Sequence, residues 1–374
     1  MIKNKEVEFE DLKVNEDLEE NITKPFSTKD IKVTNSIVLL PSVINRLKYE
    51  EIDLSPDFQR NSDLWNKTRM SRLIESILLK LPLPVFYFDV SNPDKWLIVD
   101  GLQRLSTIKR FFVDKKLRLT NLEFLKDLEG KNYEELDRTF KRTIDDTELI
   151  TYQIEAQTPK EVRYSIFHRI NTGGMSLNAQ EIRQALNQKG SSVEFLKKVC
   201  ESKSFKNIVG VSSKRMLDRE LALRFIAFKL TSYKEFNSNN MGSFLDTAME
   251  KLDDIEDSKK LDFLEKDLLN TLIFSEKVLG EDHRFSRAIA HENVTKTLNR
   301  SLFDVLTVCL SEVKEQDKFI LNKGIFLEKL KTLLFDEKGV FAKAITEGTS
   351  GKTAVENRFK IMDKLVSEVL NEKD

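Results

Sequence analysis

Met70, Leu73, Ile74, Ile77, Leu78 and Leu81 recur at the spacing of one helical face, 3.6 residues per turn. That spacing predicts a helix that Asn66 can cap and that Pro82 and Pro84 stop. Short β-rich runs with polar, Pro or Gly boundaries lie around it, at Ser36–Leu40, Val85–Val90, Trp96–Val99 and Leu149–Ile154. A second helix is expected just after Gly101, with Leu105, Ile108, Phe111 and Phe112 as its buried face. Beyond about residue 156 the strand signals nearly vanish and helical stripes follow one another. They comprise Val162, Ile166, Phe167 and Ile170, then Ile182, Ala185 and Leu186, then Leu217, Leu221, Phe225 and Phe228. Further stripes run through 261–278, 294–310 and 325–335, and the doubly charged stretch Lys251–Asp267 reads as a solvated helix–loop face. No fixed-period repeat or low-complexity tract interrupts them. The pattern predicts an α+β protein in three parts: an acidic arm over residues 1–30, a small α/β domain over 31–155, and a mostly α-helical domain over 156–374.

Composition narrows the partners. The 374 residues contain 61 Lys plus Arg against 62 Asp plus Glu, so the net charge of −1 supplies no global field toward nucleic acid. Phosphate contacts must then come from local patches. Residues 104–118 hold Arg104, Lys109, Arg110, Lys115, Lys116 and Arg118 against Asp114, and residues 197–224 hold eight basic residues against three acids. Two cysteines, Cys200 and Cys309, cannot build a disulfide framework, and with three histidines they make no four-ligand zinc site. The acidic start of the chain lacks the apolar core of a signal peptide, and no run approaches 18 apolar residues. A cytoplasmic protein without a membrane span is expected.

The densest chemistry lies where an apolar strand, Trp96–Val99, meets Asp100, Gly101 and a helix carrying Gln103 and Arg104. A strand-to-helix turn presents free N–H groups and the positive end of the helix dipole, and glycine admits a left-handed bend. Two readings follow from the residues. In one, Gly101 and Arg104 cradle a phosphate while Asp100 holds Mg²⁺ or orients a water. In the other, the turn is only a turn, with Asp100 as a helix cap and Arg104 in solvent. A second Gln-Arg pair, Gln59 and Arg60, sits before Trp65 and can converge on the same anion. The segment Asn171-Thr-Gly173-Gly174 breaks a helix and can form either a backbone nest or a plain corner. Asn178 and Glu181 after it have the spacing of a capping box. His283 and His291 read as surface residues, and neither cysteine has the surroundings of a nucleophile.

Three segments in order carry a family resemblance: Ile52-Asp-Leu-Ser-Pro-Asp-Phe-Gln-Arg60 with Trp65 and Leu73–Pro84; Ile98-Val-Asp-Gly-Leu-Gln-Arg-Leu-Ser-Thr107; and Phe167–Leu177 with Glu181, Arg183 and Ala185. Together with Arg215–Phe225 and Phe244–Asp246 they resemble the N-terminal domain of GmrSD-type restriction endonucleases, the DGQQR branch of the ParB/sulfiredoxin-like superfamily. The resemblance covers about residues 30–250. It implies a small ParB/sulfiredoxin-like α/β domain followed by helices, and binding and hydrolysis of a nucleoside triphosphate with Mg²⁺ in anti-phage restriction. It also implies the site. Asp100, Gln103, Arg104 and Gln59 would be catalytic, with Asp100 on the metal. Arg60, Gly101, Arg104, Thr107, Asn171, Gly173 and Gly174 would bind nucleotide. Two departures qualify it. Leu102 stands where the motif has its first Gln, which would weaken hydrolysis while binding survives. Residues 250–374 hold only His283 and His291 and no His-x-x-Pro nuclease motif, so a separately encoded nuclease is the expected partner. The alternatives are a non-catalytic nucleotide- or DNA-binding module that recruits such a nuclease, and a ParB-like domain that itself cuts DNA.

Overall fold

A computed structural model describes residues 30–54, 65–170, 178–187, 190–211, 213–237, 240–280, 285–290 and 297–372. The chain forms two compact units that part between Leu186 and Asn187. The sequence reading placed the change of character at about residue 156; the helices of residues 160–186 lie in the first unit.

The first unit is built on a five-stranded mixed sheet of order β1-β5-β3-β4-β2. The strands are β1 (Val33–Leu39), β2 (Ile52–Asp53), β3 (Phe86–Asp89), β4 (Trp96–Asp100) and β5 (Glu148–Ile154). β1 pairs antiparallel with β5, β5 parallel with β3, β3 antiparallel with β4 across a register shift at Tyr87/Phe88, and β4 parallel with β2. Four strands match the four predicted runs. Around them lie α1 (Leu40–Lys48), α2 (Lys67–Leu78), α3 (Leu102–Ile108), α4 (Arg138–Asp145), α5 (Lys160–Ile170) and α6 (Ala179–Leu186), and α3 continues as a π-helical turn over Lys109–Val113. The core gathers Leu40 and Val43 of α1, Ile74 and Ile77 of α2, Phe86, Phe88 and Ile98 of the sheet, and Leu105, Ile108 and Phe111 after Gly101. Phe111 packs edge-on to Phe112 and Tyr133, a geometry that adds to plain area burial.

The Asn66 side chain accepts from the Arg69 N–H at 2.9 Å, as the cap signal predicts. The other end of α2 differs from expectation. The helix stops at Leu78, well before Pro82, because Lys80 adopts φ +57°. The Lys80 N–H then bonds the Ile77 carbonyl and the Leu81 N–H bonds the Ser76 carbonyl, which satisfies the last carbonyls in a Schellman motif. Leu81, taken from its spacing as part of the apolar face, is therefore off the helix and 49% exposed.

Inside the same unit, Glu75 is buried on α2 and accepts from the N–H groups of Glu123, Phe124 and Leu125. Burial alone would raise its carboxyl, but these three donors and Lys126 outweigh it and hold the group below the usual carboxylate range. Glu129 accepts from the Asn121 and Leu122 N–H groups, so two carboxylates pin the loop that carries the exposed Phe124.

The elements of the second unit are helices: α7 (Ser191–Glu201), α8 (Lys203–Val209), α9 (Leu217–Leu230), α10 (Met241–Asp253), α11 (Ser258–Leu279), α12 (Arg300–Ser311), α13 (Gln316–Leu321), α14 (Lys323–Phe335), α15 (Val340–Thr346) and α16 (Lys352–Asn371). α9 and α12 are its central helices. Asp304, fully buried on α12, accepts from Arg224 at 2.8 and 2.6 Å and lies 3.5 Å from the buried Arg358 guanidinium, which also donates to the Thr349 carbonyl. Asp253 at the end of α10 accepts from the Ser192 N–H and so satisfies the start of α7. The whole is an α+β protein, a small mixed sheet with helices followed by a mostly helical region.

Candidate functional site

Leu97, Ile98 and Val99 are buried, so β4 is anchored on both faces up to its last residue. Asp100 then emerges, its side chain 43% exposed. Gly101 takes φ +111° and ψ 11°, and its carbonyl accepts the first helical bond, from the Leu105 N–H at 2.9 Å. The cap of α3 is thus Gly101, not Asp100. Two constraints demand glycine. The torsion lies in the left-handed region, and a Cβ would stand 2.5 Å from Phe86 Cδ1 and 3.2 Å from Arg104 Nη2.

Arg104 is neither solvated nor presented as a bare cation. Its side chain is 9% exposed and its guanidinium lies over the Phe86 ring, 4.3 Å from the centroid. It donates to the Pro84 carbonyl, to the Val85 carbonyl at 3.1 Å and to Asp100 Oδ2 at 2.9 Å. Burial pushes its pKa down from the ordinary arginine value, and the Asp100 carboxylate offsets part of that; a guanidinium retains its charge under such a shift. Arg104 therefore ties the entrance of β3 to the exit of β4 and fixes the orientation of Asp100. The sequence held one signal for this. Pro82 and Pro84 lack N–H groups, so Leu81–Val85 cannot extend the sheet by full pairing, and its carbonyls await a side-chain donor. Phe86, the other partner of Gly101 and Arg104, carried no signal at all.

The remaining predicted residues divide. Thr107 is buried and its hydroxyl donates to the Gln103 carbonyl at 2.7 Å, one turn back along α3. Gln103 is half-buried at the first turn of the same helix, and Leu102 packs against the apolar core. Asp100, Gly101 and Arg104 are thus brought together in direct contact. Gln59, Arg60, Asn171, Gly173, Gly174, His283 and His291 lie outside the described residues. What precedes and follows is informative. β2 and β4 are parallel neighbours, so Leu54 follows β2 at the same end of the sheet as the Asp100–Gly101 turn. Past the third motif, the capping box is realised: the Asn178 N–H bonds Glu181 Oε2 at 2.7 Å and the Glu181 N–H bonds Asn178 Oδ1 at 2.9 Å.

Several residues of the basic patches are engaged by acids. In the first, Arg104 is buried, Lys115 pairs with Glu134 and Arg118 with Glu135. In the second, Lys198 pairs with Glu265 and Asp262, and Arg224 is buried against Asp304. Burial holds both cysteine thiols well above the ordinary thiol value, which suits inert core residues rather than nucleophiles. Among the described residues no group of three or more His, Cys, Asp or Glu is arranged to hold a metal, and no helix is long and apolar enough to cross a membrane.

The comparisons with known proteins bear on the same stretch. Residues 42–188 match the family model described as GmrSD restriction endonuclease, N-terminal domain. No curated protein and no solved structure matches the chain. The matched stretch is less than half of the 374 residues, but it contains α2, the Asp100–Arg104 turn and the capping box after the third motif. The resemblance read from three ordered motifs is thereby borne out: residues 42–188 belong to the GmrSD restriction endonuclease N-terminal domain family, a family of restriction and defence proteins.

Proposed function

We propose that the first unit binds a nucleoside triphosphate with Mg²⁺ at the β4–α3 turn and hydrolyses it, as the nucleotide-responsive component of a DNA restriction system whose nuclease is separately encoded. The observation that carries this reading is the Asp100–Gly101–Arg104 turn, a carboxylate held at the rim of a sheet by a buried guanidinium beside a glycine bend. Gly101 is itself buried against Phe86, so in this reading the anion meets the turn at the first N–H groups of α3, on the half-buried Leu102 and Gln103. A single half-exposed carboxylate suits an ion that arrives with the triphosphate and keeps its waters, and it does not suit a resident all-protein metal site. In this reading Asp100 would hold Mg²⁺, which would supply charge neutralisation to the bound phosphates, and Gln103 with Gln59 would orient the attacking water. Arg60 adds positive charge to the departing diphosphate oxygens. Arg104 acts through Asp100, because its guanidinium is buried and three of its five N–H donors engage two carbonyls and that carboxylate.

Leu102 favours a second reading, in which nucleotide binds and is not turned over. It occupies the motif's first Gln position and packs on the core, where it cannot orient water. Calorimetry with each common triphosphate, with and without Mg²⁺, tests binding, and phosphate release tests turnover. Binding that requires Mg²⁺ in the wild type and loses that requirement in Asp100→Asn is the expected result. Absence of binding by every triphosphate, or an Asp100→Asn chain with unchanged Mg²⁺ dependence, refutes the site. Binding without release selects the second reading.

A further inference from the structure

The outer edge of the sheet has a property independent of the nucleotide reading. β1, Val-Thr-Asn-Ser-Ile-Val-Leu over residues 33–39, is an edge strand with no charge, no proline and no bulge in its pairing with β5. Those are the devices that ordinarily protect an edge from pairing with another chain. The register fixes which of its groups are unused. The Leu40 N–H bonds the Thr147 carbonyl and the Glu155 N–H bonds the Lys32 carbonyl, so the even-numbered residues of β1 bond toward β5. The N–H and C=O groups of Val33, Asn35, Ile37 and Leu39 therefore point away from the sheet. Their side chains are the exposed ones as well: Val33 is 39%, Ile37 66% and Leu39 50% exposed, and Ile150, directly opposite Ile37 on β5, is 48% exposed. α5 covers the same sheet face further along, where Arg163 reaches Asp89 and Ser91, and among the described residues no element covers the β1–β5 end.

We propose that β1 pairs antiparallel with β1 of a second copy of this chain, across a two-fold axis at Ser36, joining the two sheets into one. The choice of a second copy rests on self-complementarity. An isologous strand pair puts each residue against its own mirror position, so any charge in the strand would face a like or unlike charge by accident of register; this strand has none, and the chain carries a net charge of only −1. The axis at Ser36 is selected because it alone uses every outward residue. Val33 meets Leu39 of the partner subunit, Asn35 meets Ile37 of the partner subunit, and each such pair exchanges two main-chain hydrogen bonds. An axis at Asn35 or at Ile37 leaves Leu39 or Val33 without a counterpart. The apolar rows Ile37–Ile150 of both copies then lie on one continuous face.

The geometry supplies its own probe. Ser36 faces Ser36 of the partner subunit as a non-hydrogen-bonded pair, whose Cα atoms stand about 4.5 Å apart, within disulfide range. The two native cysteines are buried and do not compete. Sedimentation of the full chain should give twice the mass of one copy, and Ser36→Cys should form a covalent dimer under mild oxidation that a reductant reverses. Ile37→Lys and, separately, Leu39→Lys should halve the mass with unchanged circular dichroism, since both positions are exposed. Amide exchange should show the N–H groups of residues 33, 35, 37 and 39 protected in the wild type and released in Ile37→Lys. A wild type that is monomeric overturns the proposal, and protection of those amides in a monomer identifies the chain's own covering segment as the reason. A dimer that survives both lysine substitutions and fails to cross-link through residue 36 overturns it equally.

Discussion

Replacing Gly101 by alanine separates the part this turn plays in folding from any part it plays in binding. The substitution meets two independent penalties. An L-residue at φ +111° leaves its allowed region, at about 1–2 kcal/mol. The new Cβ also falls 2.5 Å from Phe86 Cδ1 and 3.0 Å from Cε1, a distance real Cβ atoms do not adopt, and Phe86 is 1% exposed with no room to retreat. Overpacking of this kind costs about 1–3 kcal/mol. The sum, about 2–5 kcal/mol, is a large share of the ~5–15 kcal/mol that stabilises an ordinary domain. Urea unfolding followed by circular dichroism measures it. The decisive form is a double-mutant cycle with Phe86→Leu. A smaller ring-less side chain relieves the clash and leaves the torsional cost, so the two substitutions should be less than additive by at least about 1 kcal/mol. An alanine chain as stable as the wild type, or strict additivity with Phe86→Leu, refutes the account of why glycine stands there.

Other expected outcomes follow from the same contacts. Arg104→Lys keeps the charge but loses the fork that reaches the Pro84 and Val85 carbonyls and Asp100; it should destabilise the first unit by about 2 kcal/mol, read by denaturation in the absence of nucleotide. Glu75 has a folded-state pKa below its unfolded value, so its stabilisation is present above the unfolded carboxyl pKa and is lost as pH falls through the folded one; Glu75→Gln should cost about 2 kcal/mol at neutral pH, and the gap to wild type should close on acidification. Asp304→Asn leaves the buried Arg224 and Arg358 without their shared anion and should cost about 3–5 kcal/mol in the second unit, measured by thermal unfolding. Leu102→Gln restores the motif's first Gln and should raise phosphate release without tightening triphosphate binding; equal release by both chains refutes a role of Leu102 in limiting turnover.

Local signals in the sequence proved informative, and signals that depend on distant partners did not. The Asn66 cap and the Asn178–Glu181 box each depend on residues three positions apart, the left-handed torsion of Gly101 is local to the strand-to-helix turn, and each is realised as read. The four strands of four residues or more were visible as apolar runs. β2, two residues long, offers too short a period to register and exists because β4 supplies its partner. The end of α2 was misread for a related reason. Pro82 is a conspicuous breaker, whereas a lysine in the left-handed region leaves no mark in the sequence and is identified only by the two hydrogen bonds that close the helix.

Arg104 shows how this limit bears on function. Four residues from Asp100 and next to a glycine bend, it has the spacing of a phosphate contact, and spacing alone left it open between that contact and solvent. The antiparallel return of β3 beside β4 is what decides its environment, because it brings Pro84, Val85 and Phe86 onto the guanidinium from about twenty positions upstream. The consequence reaches the interpretation of any substitution at this motif. A buried arginine that holds a carboxylate and two carbonyls will abolish activity when truncated whether or not it touches a phosphate, so loss of turnover in Arg104→Ala says nothing about contact with substrate. Asp100, exposed on the opposite side of the same ion pair, can be neutralised without emptying the space beneath it. Whether an Asp100 variant changes the Mg²⁺ requirement of nucleotide binding is therefore the measurement that bears on the proposed chemistry, and the stability of Arg104 variants is the measurement that bears on the scaffold.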